Sequence, residues 1–207
     1  MTGRYVALEP ADPEAHAADL FAAYRDDREG RGWTYMPYGP FDEESAFAAW
    51  MAETCLGPDP MFFAARVDGQ AVGLASYLRI APQPATIEVG HIHLAPALKG
   101  TRAATEAMAL MMDRAFGLGY RRYEWKCDAL NAASRAAALR LGFAFEGIHR
   151  QVTHYKGRNR DTAWFSILDG EWPGVKAGFD AWLDDGNFDA SGRQTRSLAA
   201  CREAARG

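Results

Sequence analysis

The stretch from Thr86 to Cys127 limits the fold more than any other part of the chain. TIEVGHIHL (86–94) alternates like a strand, and APALKGTR (95–102) carries a glycine with Lys99 and Arg102 beside it. The apolar residues Ala104, Ala107, Met108, Met111, Met112 and Ala115 then recur at helical spacing until Gly117 and Gly119, and RRYEWKC (121–127) reads as a further strand. Strand, helix and strand in so short a stretch imply a parallel pair, because parallel neighbours need a crossover connection. Just upstream, MFFAARV (61–67) and QAVGLASYLRI (70–80) flank Asp68-Gly69, a dipeptide that supplies the positive φ angles of a two-residue hairpin turn. A chain holding both units has a mixed sheet.

The other segments fit around that sheet. RYVALE (4–9) alternates like a short strand, and 12–26 reads as a helix with Asp12 as N-cap and Pro13 at its first position. GWTYMPYGPF (32–41), with two prolines, reads as an ordered aromatic loop, after which Asp42 caps a second helix running to about Cys55. NAASRAAALRL (131–141) is a short helix closed by Gly142, the stretches 144–155 and 161–168 pair across KGRNR, and EWPGVKAGFDAWL is a last helix. The expected architecture is one α/β domain over 1–183. Its central sheet is mixed and mostly antiparallel, with one splayed parallel pair and flanking helices. Residues 184–207 are polar and weakly patterned, and form a C-terminal extension that acts as an interface strap or a flexible tail.

Composition narrows the function classes. A net charge of −4 over 207 residues gives no electrostatic reason for nonspecific nucleic-acid binding, so any anion site is local. No apolar run approaches a membrane span, and MTGRYVALEP lacks the layout of a signal peptide, so a cytoplasmic location is expected. Cys55, Cys127 and Cys201 are far apart and lack C-x-x-C spacing, which points to reduced thiols.

The joint at 95–104 reads as an anion site. A helix N-terminus offers unpaired N–H groups and the positive end of the macrodipole, and Gly100 with small Thr101, Ala103 and Ala104 leaves that backbone uncovered. Lys99 and Arg102 stand where they could add charge-assisted bonds. His91 and His93 are spaced i, i+2, but no third ligand has matching local spacing, so no metal is expected.

This joint, together with DALNAASRAAALRLGF (128–143), EGIHR (146–150) and GRNRDTAWFSILDGEWP (157–173), resembles the RimJ/RimL-type branch of the GNAT superfamily of acetyl-CoA-dependent N-acetyltransferases. In that branch N-x-x-S, G-F/A-x-x-E-G and R-D-T-x-x-x-S recur in this order. The resemblance implies the GNAT fold and acetyl-CoA or CoA as co-substrate. It places the diphosphate at Lys99, Gly100, Thr101, Arg102, Ala103 and Ala104. Backbone groups of His93 and Leu94 then meet the pantetheine, the Leu94 N–H meets the thioester oxygen, and Asn131 and Ser134 lie by the pantetheine arm and its sulfur. Of the broader family's Q/R-x-x-G-x-G/A loop only Gly100 is kept.

The resemblance further implies direct attack by a primary amine, either a protein N-terminus or a small amine. Glu88 is the expected general base, acting through water, with a histidine as the alternative. Ala138 stands where many members carry a general-acid tyrosine, so Ser134 or a tyrosine from elsewhere, such as Tyr155, takes that role. On a regular strand His91 and His93 lie opposite Glu88, so all three share one cleft only if the strand bulges. Tyr38, His91, His149 and Tyr155 are expected to line the acceptor groove, and a homodimer is left open. Ala97, Arg102 and Ala138 depart from the family pattern, which keeps alive a noncatalytic acyl-CoA-binding or interaction module on the same fold.

Overall fold

The computed structural model describes residues 1–205; Arg206 and Gly207, the end of the expected extension, lie outside the described residues. Seven strands form one sheet in the order β1-β2-β3-β4-β5-β7-β6. They are β1 (Ala7–Pro10), β2 (Met61–Val67), β3 (Gln70–Ala81), β4 (Thr86–Leu94), β5 (Arg122–Asp128), β6 (Ala144–Tyr155) and β7 (Arg158–Leu168). The helices are α1 (Pro13–Tyr24), α2 (Glu44–Thr54), α3 (Arg102–Gly117), α4 (Ala132–Leu141), α5 (Trp172–Leu183) and α6 (Leu198–Ala204). Only β4 and β5 pair in parallel, as the crossover through α3 requires, so the sheet is mixed and mostly antiparallel, as expected.

The sheet separates two apolar cores. Phe62, Ala64 and Leu74 pack with α1 and α2, whereas Ala65, Ala75 and Tyr77 on the same strands pack with α3 and α5, as the period of two demands. Asp12 caps α1 by accepting from the Glu14 N–H at 2.9 Å. Asp68 and Gly69 both have positive φ, 50° and 85°, so the β2–β3 turn forms as its sequence demands.

Four expectations shift. The first strand begins at Ala7, because the carboxylate of Glu106, buried in α3, accepts from the N–H groups of Arg4, Tyr5 and Val6 and holds them out of the sheet. Helix α2 starts at Glu44 with Glu43 at the cap and no side-chain cap bond, so Asp42 does not cap it. The late hairpin turns on Lys156 and Gly157 alone, both at positive φ, so β7 begins at Arg158 rather than after KGRNR. Residues 184–205 fold back over α5, and Leu198 and Cys201 are buried in the larger core.

Candidate active site

Two features of β4 create the site. Its pairing with β5 runs from Thr86↔Arg122 to Val89↔Trp125 and stops, so the two strands part after Val89. Its register against β3 then slips between Leu74 and Ser76, with His91 at φ 51°. The bulge reverses the alternation. Ile87 and Val89 pack into the α3 core, yet His91 rests on Phe62 and His93 on Tyr24 and Trp33, in the α1/α2 core. Glu88, His91 and His93 therefore share one face, the condition under which the sequence allowed them a common cleft. Ile92 and Leu94 turn to the other face. Ala95 N–H donates to Val72 O at 2.9 Å, so antiparallel alternation aims the Leu94 N–H and C=O away from β3, into the gap left by β5.

A cavity of about 1230 Å³ fills that gap on the α3/α4 side. Its wall includes Ile92, Leu94, Trp125, Asn131, Ser134, Lys99, Gly100, Thr101, Arg102 and Ala104. Gly100 has φ +76°, and a Cβ there would meet open space, so the backbone conformation is what calls for glycine. Thr101 caps α3, and its Oγ1 accepts from the Ala104 N–H at 3.1 Å. That amide is thus occupied, whereas the N–H groups of Gly100, Arg102 and Ala103 have no protein acceptor among the described residues. Lys99, Arg102, Arg31, Arg140 and Arg193 all line the cavity, and no Asp or Glu does. In a chain of net charge −4 this is a local concentration of positive charge.

Asn131 is the N-cap of α4, and its Oδ1 accepts from the Ser134 N–H at 3.0 Å. The Ser134 hydroxyl accepts from Trp125 Nε1 at 3.0 Å. Burial raises the Cys127 thiol, and a hydrogen bond with Ser134 opposes the rise, so the serine and the thiol are neighbours. Arg102 turns from the loop: its guanidinium lies 3.5 Å over the Phe188 ring and reaches Tyr5 Oη at 3.2 Å. His93 is displaced from its expected place beside the cofactor. Its backbone, the part expected there, faces β3 in the Leu74↔His93 pair and its carbonyl accepts from Tyr24 Oη, while its ring stacks on Trp33 at 3.8 Å outside the cavity wall.

On that opposite face, Tyr38 Oη lies 2.9 Å from His91 Nδ1. Glu88 Oε2 is ion-paired to Lys126 Nζ at 2.8 Å and to Arg79 Nε at 3.2 Å. Lys126 also lies over Trp164, which carries the His149 ring at 4.5 Å. Tyr155 stands apart, donating to Asp128 Oδ2 at 2.8 Å beside Arg158. Of the four expected acceptor residues, then, Tyr38 and His91 come together, while His149 and Tyr155 sit on the β6–β7 hairpin. Lys156 at the tip of that hairpin donates to the carbonyls of Trp33 at 2.8 Å and Gly39 at 3.1 Å, clamping the aromatic loop.

Burial depresses both imidazoles to about 4, with Lys99 adding to the effect at His93. Burial raises the Glu88 carboxyl, opposed chiefly by Lys126. Tyr155 is pushed up to about 12 by burial and by its bond to Asp128. Sequence reasoning did not place Lys126, Arg140 or any residue after 183 at the site. Lys126 was signalled: in RRYEWKC the charges of Glu124 and Lys126 alternate with Tyr123, Trp125 and Cys127, marking one polar face. Among the described residues no three metal-ligating side chains converge, and no helix is long and apolar enough to cross a membrane.

The family described as "Acetyltransferase (GNAT) domain" matches residues 6–144. A crystal structure of a GCN5-related N-acetyltransferase from Brucella melitensis is 43% identical, covers 98% of this chain and 93% of its own, and superposes with a TM-score of 0.95. That of a probable acetyltransferase of the GNAT family from Chromobacterium violaceum is 46% identical, with 83% and 87% covered and a TM-score of 0.79. Mycobacterium smegmatis RimJ in complex with CoA-disulfide is 21% identical, with 81% and 84% covered and a TM-score of 0.66, a likeness of fold alone. No curated protein matches the chain.

Proposed function

The chain belongs to the GNAT family of acetyltransferases, and from that membership we propose that it moves an acetyl group from acetyl-CoA to a primary amine, a protein N-terminus or a small amine, by direct attack. The observation that carries this reading is the cavity walled by five cations and no carboxylate, which runs from the first turn of α3 to the gap between β4 and β5. CoA is a flexible thiol arm on a diphosphate and a third phosphate, and such a polyanion suits that wall.

In this reading the N–H groups of Gly100, Arg102 and Ala103 hold the diphosphate, with Lys99 adding charge. The Leu94 N–H meets the thioester oxygen and stabilises the charge that grows on it in the transition state. The acceptor enters from the Tyr38–His91 face. Burial drives the two candidate bases in opposite senses, raising Glu88 and lowering His91 to about 4, which favours Glu88 acting through water. An amine near pKa ~8 needs less help from it than one near ~10.4. Ser134 lines the cavity whereas Tyr155 is tied to Asp128, so Ser134 is the better placed acid for the leaving thiol.

The RimJ/RimL-type motifs Asn131/Ser134 and Arg160-Asp161-Thr162 support that branch. The buried free thiols Cys55, Cys127 and Cys201 support a cytoplasmic setting. A homodimer, in the same reading, forms along edge strand β6, where Phe145, Ile148 and Val152 are exposed. The test is thiol release from acetyl-CoA with a panel of amines and peptides. Turnover with at least one acceptor is expected; tight CoA binding without turnover on any would replace this reading with the noncatalytic module.

A further inference from the structure

The residues after α5 are built as part of the cavity. The buried Asn187 holds them. Its Nδ2 donates to Trp182 O and Arg196 O, both at 3.1 Å, while its Oδ1 accepts from Thr195 Oγ1 at 3.0 Å and from Arg196 N–H at 2.9 Å. Phe188 pairs with Gln194 in an antiparallel bridge, and Gln194 Oε1 accepts from Trp182 Nε1 at 2.6 Å. This turn presents Phe188, Gly192, Arg193 and Gln194 to the same cavity as the phosphate loop. It is coupled to that loop directly, because Arg102 at the first position of α3 lies on the Phe188 ring and reaches Asp185 at 3.5 Å.

We propose that the turn 187–196 is a cofactor-selecting wall that receives the nucleotide end of CoA, with Arg193 reading the phosphate on the ribose. The proposal rests on the acetyl-CoA reading above and assigns a job within it. The thioester end of the cavity is defined by Leu94, Trp125 and Ser134, and the diphosphate by the first turn of α3. The rest of the wall comes from α4, from the segment 31–35 and from α5 with this turn, and of these the turn and α5 bring Trp182, Phe188 and Arg193 together, an aromatic and cationic surface suited to a purine and a phosphate. Arg193 has the geometry of an exchangeable contact: its side chain is 84% exposed and is held by Asp189 at 3.3 Å, a surface pair weak enough for a doubly charged phosphate to displace.

The test compares CoA with dephospho-CoA, which lacks only the ribose phosphate, by calorimetric titration of the full chain. The wild type is expected to prefer CoA by about tenfold or more, and Arg193→Ala, an exposed position that leaves folding intact, to reduce the preference to about threefold or less while dephospho-CoA binds as before. Arg193→Glu should invert the preference. A wild type that binds both ligands equally, or an Arg193→Ala chain that keeps the full preference, overturns the proposal and leaves the acetyl-CoA reading standing. A wild type that binds neither ligand overturns both.

Discussion

Lys126 Nζ lies 2.8 Å from Glu88 Oε2, joining the two parallel strands just where they part, and its other neighbour is Glu124 Oε2 at 2.7 Å. One ammonium therefore serves two carboxylates on the acceptor face. Glu88→Gln leaves Lys126 its pair with Glu124, so the fold should hold while the base is lost. The turnover rate should fall by roughly 10²-fold or more with CoA affinity unchanged, as read by steady-state rates beside a binding titration. Lys126→Met should act through pH instead. Lys126 opposes the burial that raises Glu88, so its removal lifts the carboxyl further, and the acid limb of the rate profile should move to higher pH. An unmoved limb would take Glu88 out of the proton path.

Gly100 is the position at which the diphosphate reading is most exposed to test. Its φ of +76° strains any other residue, and Gly100→Ala should weaken CoA binding by about fivefold to tenfold through that strain alone, since its Cβ meets open space. Gly100→Asp adds a negative charge beside the bare amides and should weaken binding by at least a further tenfold. Equal affinity for the two variants would mean that no phosphate sits there.

How far the sequence reached can be judged from β4. The crossover through α3, the Asp68-Gly69 hairpin and the mixed sheet are local statements about period and turn chemistry, and they hold. The bulge at His91 is not local, because it depends on how β3 and β4 share their register, so the alternation of TIEVGHIHL put Glu88 and the histidines on opposite faces. His93 was misplaced beside the cofactor for the same reason. The turn held by Asn187 was illegible for a different cause: Asp185-Gly186 and Ser191-Gly192 mark local bends, but there is no hydrophobic period, and what fixes the segment is one buried amide whose four partner atoms lie five to nine residues away. The phosphate loop was legible from Gly100 and its small neighbours, but the engagement of Arg102 with Phe188 was not, since that contact spans 86 positions of chain.

The two neutral histidines make stability depend on pH in a definite direction. Both have folded-state values near 4, below the usual value near ~6.5, so between these limits the unfolded chain binds more protons. Their contribution is complete above pH ~6.5 and is lost as pH falls toward ~4, amounting to a few kcal/mol for the pair. Denaturant midpoints at pH 7 and 4.5 should show that loss. His91→Asn should be less stable than wild type at pH 7, having lost its contact with Tyr38, yet should lose less on going to pH 4.5.

Lys156 is expected to govern acceptor affinity without touching the cofactor. Its ammonium bridges the β6–β7 turn to the carbonyls of Trp33 and Gly39, the segment that carries Tyr38 to His91. Lys156→Met removes those bonds and keeps the length of the side chain. The KM for the amine should rise several-fold, with CoA affinity unaltered. A rise in CoA dissociation constant with KM unchanged would mean that the clamp acts through Gly32 and Tyr35, which line the cofactor cavity, rather than through Tyr38.

Ser134 and Tyr155 are the two candidate acids, and their hydrogen bonds separate them. The Tyr155 hydroxyl donates to Asp128 and is pushed up to about 12, so it holds its proton and spends it on a structural bond. The Ser134 hydroxyl accepts from Trp125 Nε1, which leaves its own proton to turn between the Cys127 sulfur and the cavity. A leaving thiol near pKa ~8.5 needs only modest help, so Ser134→Ala should lower turnover by roughly tenfold rather than by the larger factors of a strong general acid. CoA affinity should stay within about threefold, because the α3 amides carry it. The same change strands the Trp125 indole N–H, at a stability cost of about 1–3 kcal/mol, which a lowered denaturant midpoint would register. Tyr155→Phe should cost less in turnover than Ser134→Ala; if it costs more, the proton comes from the hairpin, and the reaction must run closer to Asp128 than the cavity suggests.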